Sequence, residues 1–506
     1  MKHISHTFLS FLIFMACVVP GASALTVATE PGGLADAVGD AFGAFELTVT
    51  GAVDASDFDF ISEKMPALRS LDLGGAVISA YDGAPTLTGR TSSPANVLPD
   101  CALMLPQLKQ LALPADLEAI GDGALGGSGI TDVVIPAGVK SIGVSAFAEC
   151  KSLKAISVPE SVGTLGAGAF KGCTALSTAV IQAAVPEVPD ELFMGCVGLA
   201  EVQVPPTVKA IGNDAFNGCL SMSAFVFPTS LVSIGDRAFY GSGIATADFG
   251  VCSNLKSIGG WAFADCNSLA TVDFNPSVSS IGTGAFFNDA SLMMDVLPAQ
   301  VTKVRDFAFR GIGGGNKELA VAEAVDSIGA YAFANWSHVQ KLVLPESLEY
   351  IGDGAMANWT ALDSIVAEAP VKVPALGADV WRGVAQKDVK LVVPLALMGD
   401  YEAAPQWKEF DVTSKDLSTR IDITDAAVAT DGVTARFSGM MLDIDAPVDI
   451  VDVTLFDIRG RGYRFQVQTD GEHASVDTSA WNAPVMIVRV LLSDGTVAAL
   501  KLSRGH

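Results

Sequence analysis

Apolar and polar positions recur along this chain with a period of about 23 residues. The recurring phrase is Ile-Gly-x-x-Ala-Phe, and an apolar residue begins each copy. These first residues are Ile120, Ile142, Leu165, Val188, Ile211, Ile234, Ile258, Ile281, Val304, Ile328 and Ile351, and a degenerate copy begins at Leu98. A fixed period of this length is typical of solenoids, in which coils stack on one another. We therefore expect extended surfaces and not one central pocket.

Each coil carries a short alternating segment upstream of the phrase. Two apolar residues flank one outward residue, as in Ile156-Ser157-Val158, and a proline often follows. This alternation predicts a short β-strand that ends at the proline, which cannot donate to a ladder. Stacked coils would pair these strands in parallel, about 4.8 Å apart. We expect the glycine of the phrase to allow a tight corner, with the Ala and Phe buried on the opposite side.

The outward strand positions form the face on which we expect binding. They are Asp72, Ala112, Val134, Ser157, Val180, Gln203, Val226, Asp248, Asp273, Val296, Ala320, Val343 and Val366. The frequent valines fit either plain β-propensity or a shallow apolar groove for a partner. We favour the middle of the array, because terminal coils must serve as caps. The candidate ligand-binding residues are Glu201, Gln203, Val226, Asp248 and Asp273, which suit a mixed apolar and basic protein segment.

The order of these patterns predicts five regions. They are a signal peptide (1–24), an N-terminal cap (25–75), the β-rich solenoid (76–411), a linker (412–431) and a small antiparallel β-sandwich (432–506). The signal rests on Lys2, the apolar stretch from Phe8 to Val19 and the small residues Ala22-Ser23-Ala24. Cys17 leaves a lipoprotein signal as the alternative. In the cap, the segment from Asp54 to Met65 predicts a short capped helix.

The charge balance narrows the classes of partner. The chain has 506 residues with 31 Lys+Arg against 56 Asp+Glu, a net charge of −25. Nucleic-acid binding needs a basic surface, so this composition argues against it and against docking to anionic membranes. Beyond the signal, no stretch approaches the roughly 20 apolar residues of a membrane span. We expect an exported protein without a transmembrane segment after signal removal.

Five of the eight cysteines share one position of the repeat. Cys150, Cys173, Cys196, Cys219 and Cys266 each follow the phenylalanine of the phrase by three residues, and Trp336 and Trp359 take that place in later coils. Exchange of cysteine with tryptophan fits a packing position better than a ligand position. We expect buried free thiols, with disulfides between adjacent coils as the alternative.

Candidate chemistry is sparse in this sequence. The histidines lack a second ligand at metal-binding spacing, and no nucleophile elbow or phosphate loop is present. Asp248 and Asp273 fall on neighbouring strands, but paired carboxylates of that kind are more often a solvated surface than a glycosidase site. We therefore expect no enzyme, no catalytic residue, no cofactor and no metal.

The repeat resembles the BspA-like leucine-rich repeats of bacterial and protist surface proteins. The segments Leu153-Lys-Ala-Ile156-Ser-Val158-Pro159 and Leu165-Gly-Ala-Gly-Ala169-Phe170-Lys-Gly-Cys173 carry the match, which covers about Leu68 to Phe410. The resemblance implies a leucine-rich repeat solenoid on a surface protein for adhesion or host contact.

The tail resembles the C-terminal sorting domain of the Bacteroidetes type IX (Por) secretion system. Leu455-Phe-Asp457-Ile-Arg-Gly460-Arg461, Asp477-Thr-Ser479, Ile487-Val-Arg-Val490 and Lys501 fit its pattern. Pro484 and Met486 depart from it, so a plain terminal β-domain stays the alternative. The resemblance implies secretion machinery as a partner and a location on the outer-membrane exterior.

These observations favour a non-catalytic, exported binding or adhesion protein. Its partners would be proteins of the host extracellular matrix or of other cells' surfaces. The alternative is a cell-envelope structural scaffold whose repeats self-associate. Saturable binding to a defined partner would indicate the first, and concentration-dependent assembly would indicate the second.

Overall fold

The computed structural model describes most of the chain as two compact units. The described residues are 24–294, 297–367, 372–414, 432–438, 441–456, 462–463, 465, 467–479, 481, 485–494 and 496–503. The first unit holds residues up to Val366 and Lys372–Val389, and the second holds Ala367 and the residues from Lys390 onward. The predicted signal peptide, apart from Ala24, and the predicted linker beyond Ser414 lie outside the described residues.

The first unit is a solenoid of parallel strands, which confirms the predicted fold class. One strand per coil builds the sheet on which binding was expected. These face strands are Ala24–Thr29, Glu46–Val53, Ser70–Ile78, Gln110–Ala112, Ala155–Val158, Thr178–Ile181, Glu201–Gln203, Thr246–Asp248, Thr271–Asp273, Glu318–Ala320, Lys341–Leu344 and Ser364–Ala367. Their residues pair in register at equivalent positions, as in Ser157 with Val180 and Val180 with Gln203.

The face sheet is interrupted, whereas we expected one continuous ladder. Among the described residues it falls into four patches. Two of the three breaks are at the coils of Val134 and Val226, which carry no strand, and the third is at the coil of Val296, which lies outside the described residues.

In the coil of Val226, Phe225 and Phe227 fill the inward positions and their rings pack 5.0 Å apart. Phe225 is bulkier than its counterparts Val202 and Ala247, whereas the counterpart of Phe227 in the next coil is also a phenylalanine, Phe249. Buried and exposed side chains still alternate in this coil, but its backbone does not join the ladder of hydrogen bonds.

A second parallel ladder runs along the corner of the coils, and the sequence analysis missed it. The first residue of each phrase and the residue before it form a two-residue strand. These corner strands are Val97–Leu98, Ala119–Ile120, Ser141–Ile142, Thr164–Leu165, Glu187–Val188, Ala210–Ile211, Ser233–Ile234, Ser257–Ile258, Ser280–Ile281, Lys303–Val304, Ser327–Ile328, Tyr350–Ile351 and Ala375–Leu376. Among the described residues this corner ladder breaks between Leu165 and Val188 and between Ile281 and Val304, so it forms three sheets. Within each of these sheets the corner strands add a second line of backbone pairing between adjacent coils.

The glycine of the phrase is required by close approach between coils and not by the turn. A Cβ on Gly212 would lie 2.6 Å from the backbone nitrogen of Asp190 in the preceding coil. The turn is made two residues later, where Asp214 has a φ of 54° and Arg237 a φ of 53°. Left-handed backbone is unfavourable for residues with a Cβ, so this fourth position of the phrase is strained in many coils.

The phenylalanine of the phrase forms a continuous stack inside the solenoid. Phe147, Phe170, Phe193, Phe216, Phe239, Phe263, Phe286, Phe309 and Phe333 are all buried. Their neighbouring ring centroids lie between 5.0 Å and 5.7 Å apart, and the planes are within 22° of parallel. This confirms the predicted burial of the Ala-Phe positions opposite the face sheet.

The position three residues after this phenylalanine is a hydrogen-bond donor to the coil before it. The Sγ of Cys173 donates to the carbonyl of Phe147 at 3.1 Å, and Cys196 repeats this contact with Phe170. The indole Nε1 of Trp336 donates to the carbonyl of Phe309 at 2.6 Å. Cysteine and tryptophan exchange here because both bring an X–H group to the same carbonyl. All seven cysteines of the described residues are free thiols, and the five at this position are buried, as predicted.

The N-terminal residues already belong to the solenoid. The strands Ala24–Thr29 and Glu46–Val53 pair in parallel with the strands that follow them. They were not predicted, because their coils lack the Ile-Gly-x-x-Ala-Phe phrase. The predicted helix is confirmed as Ala55–Lys64, with Asp54 as its N-cap and Asp57 completing a capping box. Asp57 also accepts the N–H groups of Gly32 and Leu34. A short helix, Leu34–Val38, and a hairpin of Tyr81–Asp82 with Ser92–Ser93 complete this part.

The second unit contains the predicted antiparallel sheets. One sheet is formed by Thr434–Ser438, Met441–Asp445, His473–Asp477 and Val467–Asp470, and the other by Gly462–Tyr463, Ile450–Phe456, Val485–Leu492 and Val497–Ser503. Residues of both sheets share one apolar core, which includes Leu442, Val476, Val453 and Val488.

The same unit holds a parallel pair of strands, Lys390–Val393 and Asp411–Ser414. Between them Tyr401 and Trp407 meet edge to face at 5.4 Å, and Phe410 packs beside Trp407. The remaining helical segments of the described chain are Gln386–Asp388, Leu395–Leu397, Met398–Ala403 and Trp407–Glu409.

Asp289 takes the position three residues after the phenylalanine in the coil of Phe286, between Cys266 of the preceding coil and Ile312 of the following coil. The side chain is buried, its Oδ1 accepts the N–H of Cys266, and its Oδ2 has no partner. A carboxyl group can donate from this position only when it is protonated. Burial raises the pKa of Asp289 to about 9, which is consistent with a protonated acid at neutral pH.

Asp289→Asn should remove a pH dependence of stability. The folded chain keeps a proton that the unfolded chain loses above a pKa of 3.8, so the free energy of unfolding should fall as pH rises from about 4 towards about 9. This one group contributes up to about 1.4 kcal/mol per pH unit. Denaturant unfolding of both proteins across this range should show the difference. The exposed Asp116→Asn is the control, and equal slopes in all three proteins would contradict the assignment.

Candidate binding face

The five candidate residues all lie exposed on the solenoid face. Glu201 and Gln203 stand on one strand, with the half-buried Val202 between them turned towards the core. Asp248 and Asp273 end neighbouring strands, and Val226 lies on the coil between these two groups. The alternation of the coil thus places every candidate outward, as the sequence pattern predicts. Whether they bind a ligand stays a prediction.

Asp248 and Asp273 are brought side by side. They are register partners in a parallel pair of strands. The Oδ1 of Asp248 accepts the N–H of Gly250 at 2.9 Å. A Cβ on Gly250 would lie 2.9 Å from the Oδ2 of Asp273, so the missing side chain leaves room for that carboxylate. The two acids and Gly250 form a small open acidic patch.

Glu201 and Gln203 belong to a different patch of the sheet. They pair with Thr178 and Val180 of the preceding coil. The interruption at Val226 separates this patch from the strands of Asp248 and Asp273. The candidate residues therefore share one face but not one continuous ladder.

The outward valines do not form an unbroken apolar groove. Val134 and Val226 are each 83% exposed. Val180, Val343 and Val366 are half-buried, and Val296 lies outside the described residues. Ser157 and Gln203 intervene between the valines along the stack. The face therefore offers isolated apolar side chains among polar ones.

Within the described part of the chain, the candidate acids of this face are not paired in salt bridges. Among the described residues none of Glu201, Asp248 and Asp273 forms a salt bridge within 4.0 Å. Acids elsewhere on the solenoid do, as in Lys171 with Glu191 at 2.6 Å and Arg237 with Asp214 at 3.1 Å. The middle of the face is consequently a surface of uncompensated negative charge.

The described part of the chain offers little reactive chemistry. It contains no group of three His, Cys, Asp or Glu residues placed to hold a metal ion. Burial raises the pKa of Cys252 to about 11 and that of Cys266 to about 12, so these thiols are protonated at neutral pH. Burial also raises the pKa of the exposed Cys101, and the Asp100 carboxylate adds to the shift.

The sequence analysis missed one surface feature, which we name the aromatic strip. It consists of Trp261, Phe287, Phe307, Arg310, Tyr331 and Arg382. The signal was present in the sequence, because Trp261, Phe307 and Tyr331 all hold the fourth position of the phrase. It passed unnoticed because the left-handed backbone that turns this position outward is visible only in the structure.

This geometry defines the class of protein as a leucine-rich repeat solenoid, and the repeat identifies the family. The model of the BspA type leucine rich repeat region matches in six copies, over residues 104–200, 186–314 and 313–377. These matches extend over more than half of the 506 residues. The chain belongs to the BspA-type leucine-rich repeat family. No curated protein sequence matches it.

Solved structures share the fold. A leucine-rich repeat protein from Bacteroides ovatus gives a TM-score of 0.55 at 20% identity, over 78% of this chain and 94% of that chain. A leucine rich cell surface protein from Faecalibacterium prausnitzii gives 0.32 at 26% identity, over 49% and 82%. The pneumococcal vaccine antigen PcpA gives 0.32 at 14% identity, over 74% and 84%. The structure from Bacteroides ovatus shows that the fold is shared.

Proposed function

We propose that this chain is a non-catalytic, exported protein that binds protein partners through its sheet face. The observation that carries the proposal is the outward acidic and apolar surface of Glu201, Gln203, Val226, Asp248 and Asp273. Solenoids of stacked repeats generally present extended surfaces to their partners. Membership of the BspA-type family supports a surface role, since such proteins are often exposed on cells.

The composition of the face specifies the chemistry of the partner. Uncompensated carboxylates favour a basic segment, and the 83% exposed Val226 adds a site for an apolar side chain. The partner would be a protein of the host extracellular matrix or of another cell's surface. A flat face gives modest affinity for one contact, and many copies on one cell would strengthen attachment.

Charge reversal in the acidic patch tests this site. Asp248→Lys with Asp273→Lys should weaken binding to a matrix protein that the parent binds saturably, by about tenfold. It should also flatten the salt dependence, because the attraction between unlike charges is lost. Surface plasmon resonance at several salt concentrations measures both effects.

A matched variant controls for net charge in this experiment. Glu323→Lys with Glu346→Lys makes the same charge change at exposed positions in the loops between the two ladders of adjacent coils. It should leave affinity near the parent value. Equal loss in both double variants, or unchanged binding in the acidic-patch variant, would contradict the site. Concentration-dependent assembly of the chain without any saturable partner would instead support the self-associating scaffold.

We further propose that residues 432–506 direct export through the type IX system and surface display. The two antiparallel sheets and their shared core provide a compact domain of the expected size. In the Asp-x-Ser motif, the N–H of Ser479 donates to Oδ1 of Asp477 at 2.9 Å, and this bond lowers the pKa of Asp477. The Asp457–Arg461 motif and Pro484 lie outside the described residues, as does the side chain of Lys501.

The described residues contain no helix that is both long and apolar enough to cross a membrane.

Removal of residues 432–506 should trap the protein in the periplasm of a host that has the type IX system. The expected cause is loss of the signal that the secretion machinery reads. Cell fractionation and protease shaving of intact cells locate the protein, with the full-length chain as control. Surface display of the truncated protein at the level of the full-length chain would overturn the sorting role.

A further inference from the structure

The aromatic strip is a second surface, at the corner and not on the sheet face. It extends from the coil of Trp261 to that of Arg382. The indole of Trp261 meets Phe287 at 5.2 Å and Phe307 at 6.4 Å. Phe307 stacks on Tyr331 at 5.5 Å with ring planes only 8° apart. All four rings are half-buried, so each keeps part of its surface open to solvent.

The backbone is arranged to display these rings. Trp261, Phe307 and Tyr331 have φ values of 57°, 59° and 55°, in the region that bulky side chains avoid. The same left-handed φ occurs at this position in coils without an aromatic residue there, as at Asp214 and Arg237, so it directs the side chain outward and is not by itself a mark of function. Two glycines make the room that the rings need. A Cβ on Gly284 would lie 2.7 Å from the indole of Trp261, and one on Gly354 would lie even closer to the ring of Tyr331.

A guanidinium group is held among the rings. The Cζ of Arg310 lies 5.5 Å from the centroid of Phe287, 5.8 Å from that of Phe307 and 5.7 Å from that of Tyr331. Arg382 lies 5.9 Å from the centroid of Tyr331. Cation–π contact of this kind fixes the orientation of a guanidinium and leaves its N–H edge able to bind an anion.

The polar groups of the strip have no partner in the described part of the chain. Neither Arg310 nor Arg382 forms a salt bridge within 4.0 Å, although the chain carries 56 acids against 31 bases. Arg90 and Arg237, by contrast, pair with Asp100 and Asp214. The indole N–H of Trp261 and the hydroxyl of Tyr331 also lack a hydrogen bond to described residues. The strip therefore combines flat apolar faces with unsatisfied donors and positive charge.

We infer that the aromatic strip binds a sugar chain that carries carboxylates, such as an oligomer of uronic acids. The C–H face of a pyranose ring is flat and apolar, and it stacks on an aromatic ring. Its hydroxyls can accept from the indole N–H and the phenol O–H, which Trp and Tyr present beside an apolar surface. A planar carboxylate matches the guanidinium fork in two parallel hydrogen bonds.

A peptide that binds by strand addition does not fit this surface. In that mode an extended peptide adds a strand to a free edge of a sheet. Beside the strip, the corner strands Ser327–Ile328 and Tyr350–Ile351 are already paired on both sides. They leave no edge for another strand there, so the side chains of the strip must supply the recognition.

Calorimetric titration of the full exported chain with oligogalacturonate of defined length tests the inference. Saturable binding is expected, and the methyl-esterified oligomer should bind at least about tenfold more weakly because it lacks the charge. Arg310→Ala should cost about tenfold or more in affinity. Arg382→Ala, which changes an exposed residue, should weaken binding in the same direction without a burden on folding.

Arg305→Ala is the matched control, since Arg305 is an exposed arginine of the same coil that contacts none of these rings. It should bind like the parent. The sheet-face double variant of Asp248 and Asp273 should also bind uronate normally, which separates this inference from the proposed protein-binding face. The inference is overturned by no binding of oligogalacturonate, by equal affinity for its methyl ester, or by unchanged affinity in both arginine variants. Binding of polyglutamate alone would overturn it as well.

Discussion

Stacking of one phenylalanine per coil, at centroid distances of 5.0 to 5.7 Å, is the constraint on which the rest of the solenoid depends. An aromatic ladder with nearly parallel planes tolerates only one register between adjacent coils. Once Phe170 is stacked between Phe147 and Phe193, the other positions of its coil face their counterparts. The face strands, the corner strands and the donor position then recur at equivalent places, and local packing decides where a strand is lost.

This register explains why different residues serve one purpose at equivalent positions. Cys173 and Trp336 differ in size and chemistry, yet each donates to a phenylalanine carbonyl of the coil before. Asp289 differs from both, because an ionised carboxylate has no hydrogen to donate. In its protonated form the carboxyl group has an O–H donor, as this position requires. The same register also sets the positions of the side chains on the outer surface. A side chain that points outward, such as Asp248 or Trp261, is displayed at a height set by the stack.

The sequence predicted the repeat, the face strands and the burial of the Ala-Phe positions, because these depend on apolar periodicity. It did not predict the corner ladder, since two-residue strands have no alternation to detect. The strained φ at Trp261 and the approach that requires Gly212 depend on the neighbouring coil, which lies 23 residues away in sequence. The candidate face could be located from the apolar pattern. The missing strand in the coil of Val226 could not, because it depends on how Phe225 and Phe227 pack. The aromatic strip needed ring and guanidinium geometry that no spacing reveals.

The most direct test of a fold governed by register is to delete one complete period. Removal of residues 189–211 joins Val188 to Gly212 and restores the phrase, so the remaining coils should stack as before. Removal of only residues 189–200 places Glu201 directly after Val188 and shortens that coil to about half a period, so the next phrase falls out of register. Thermal unfolding followed by circular dichroism should show the first protein melting cooperatively near the parent temperature and the second melting well below it. Equal melting of the two deletions would contradict the account.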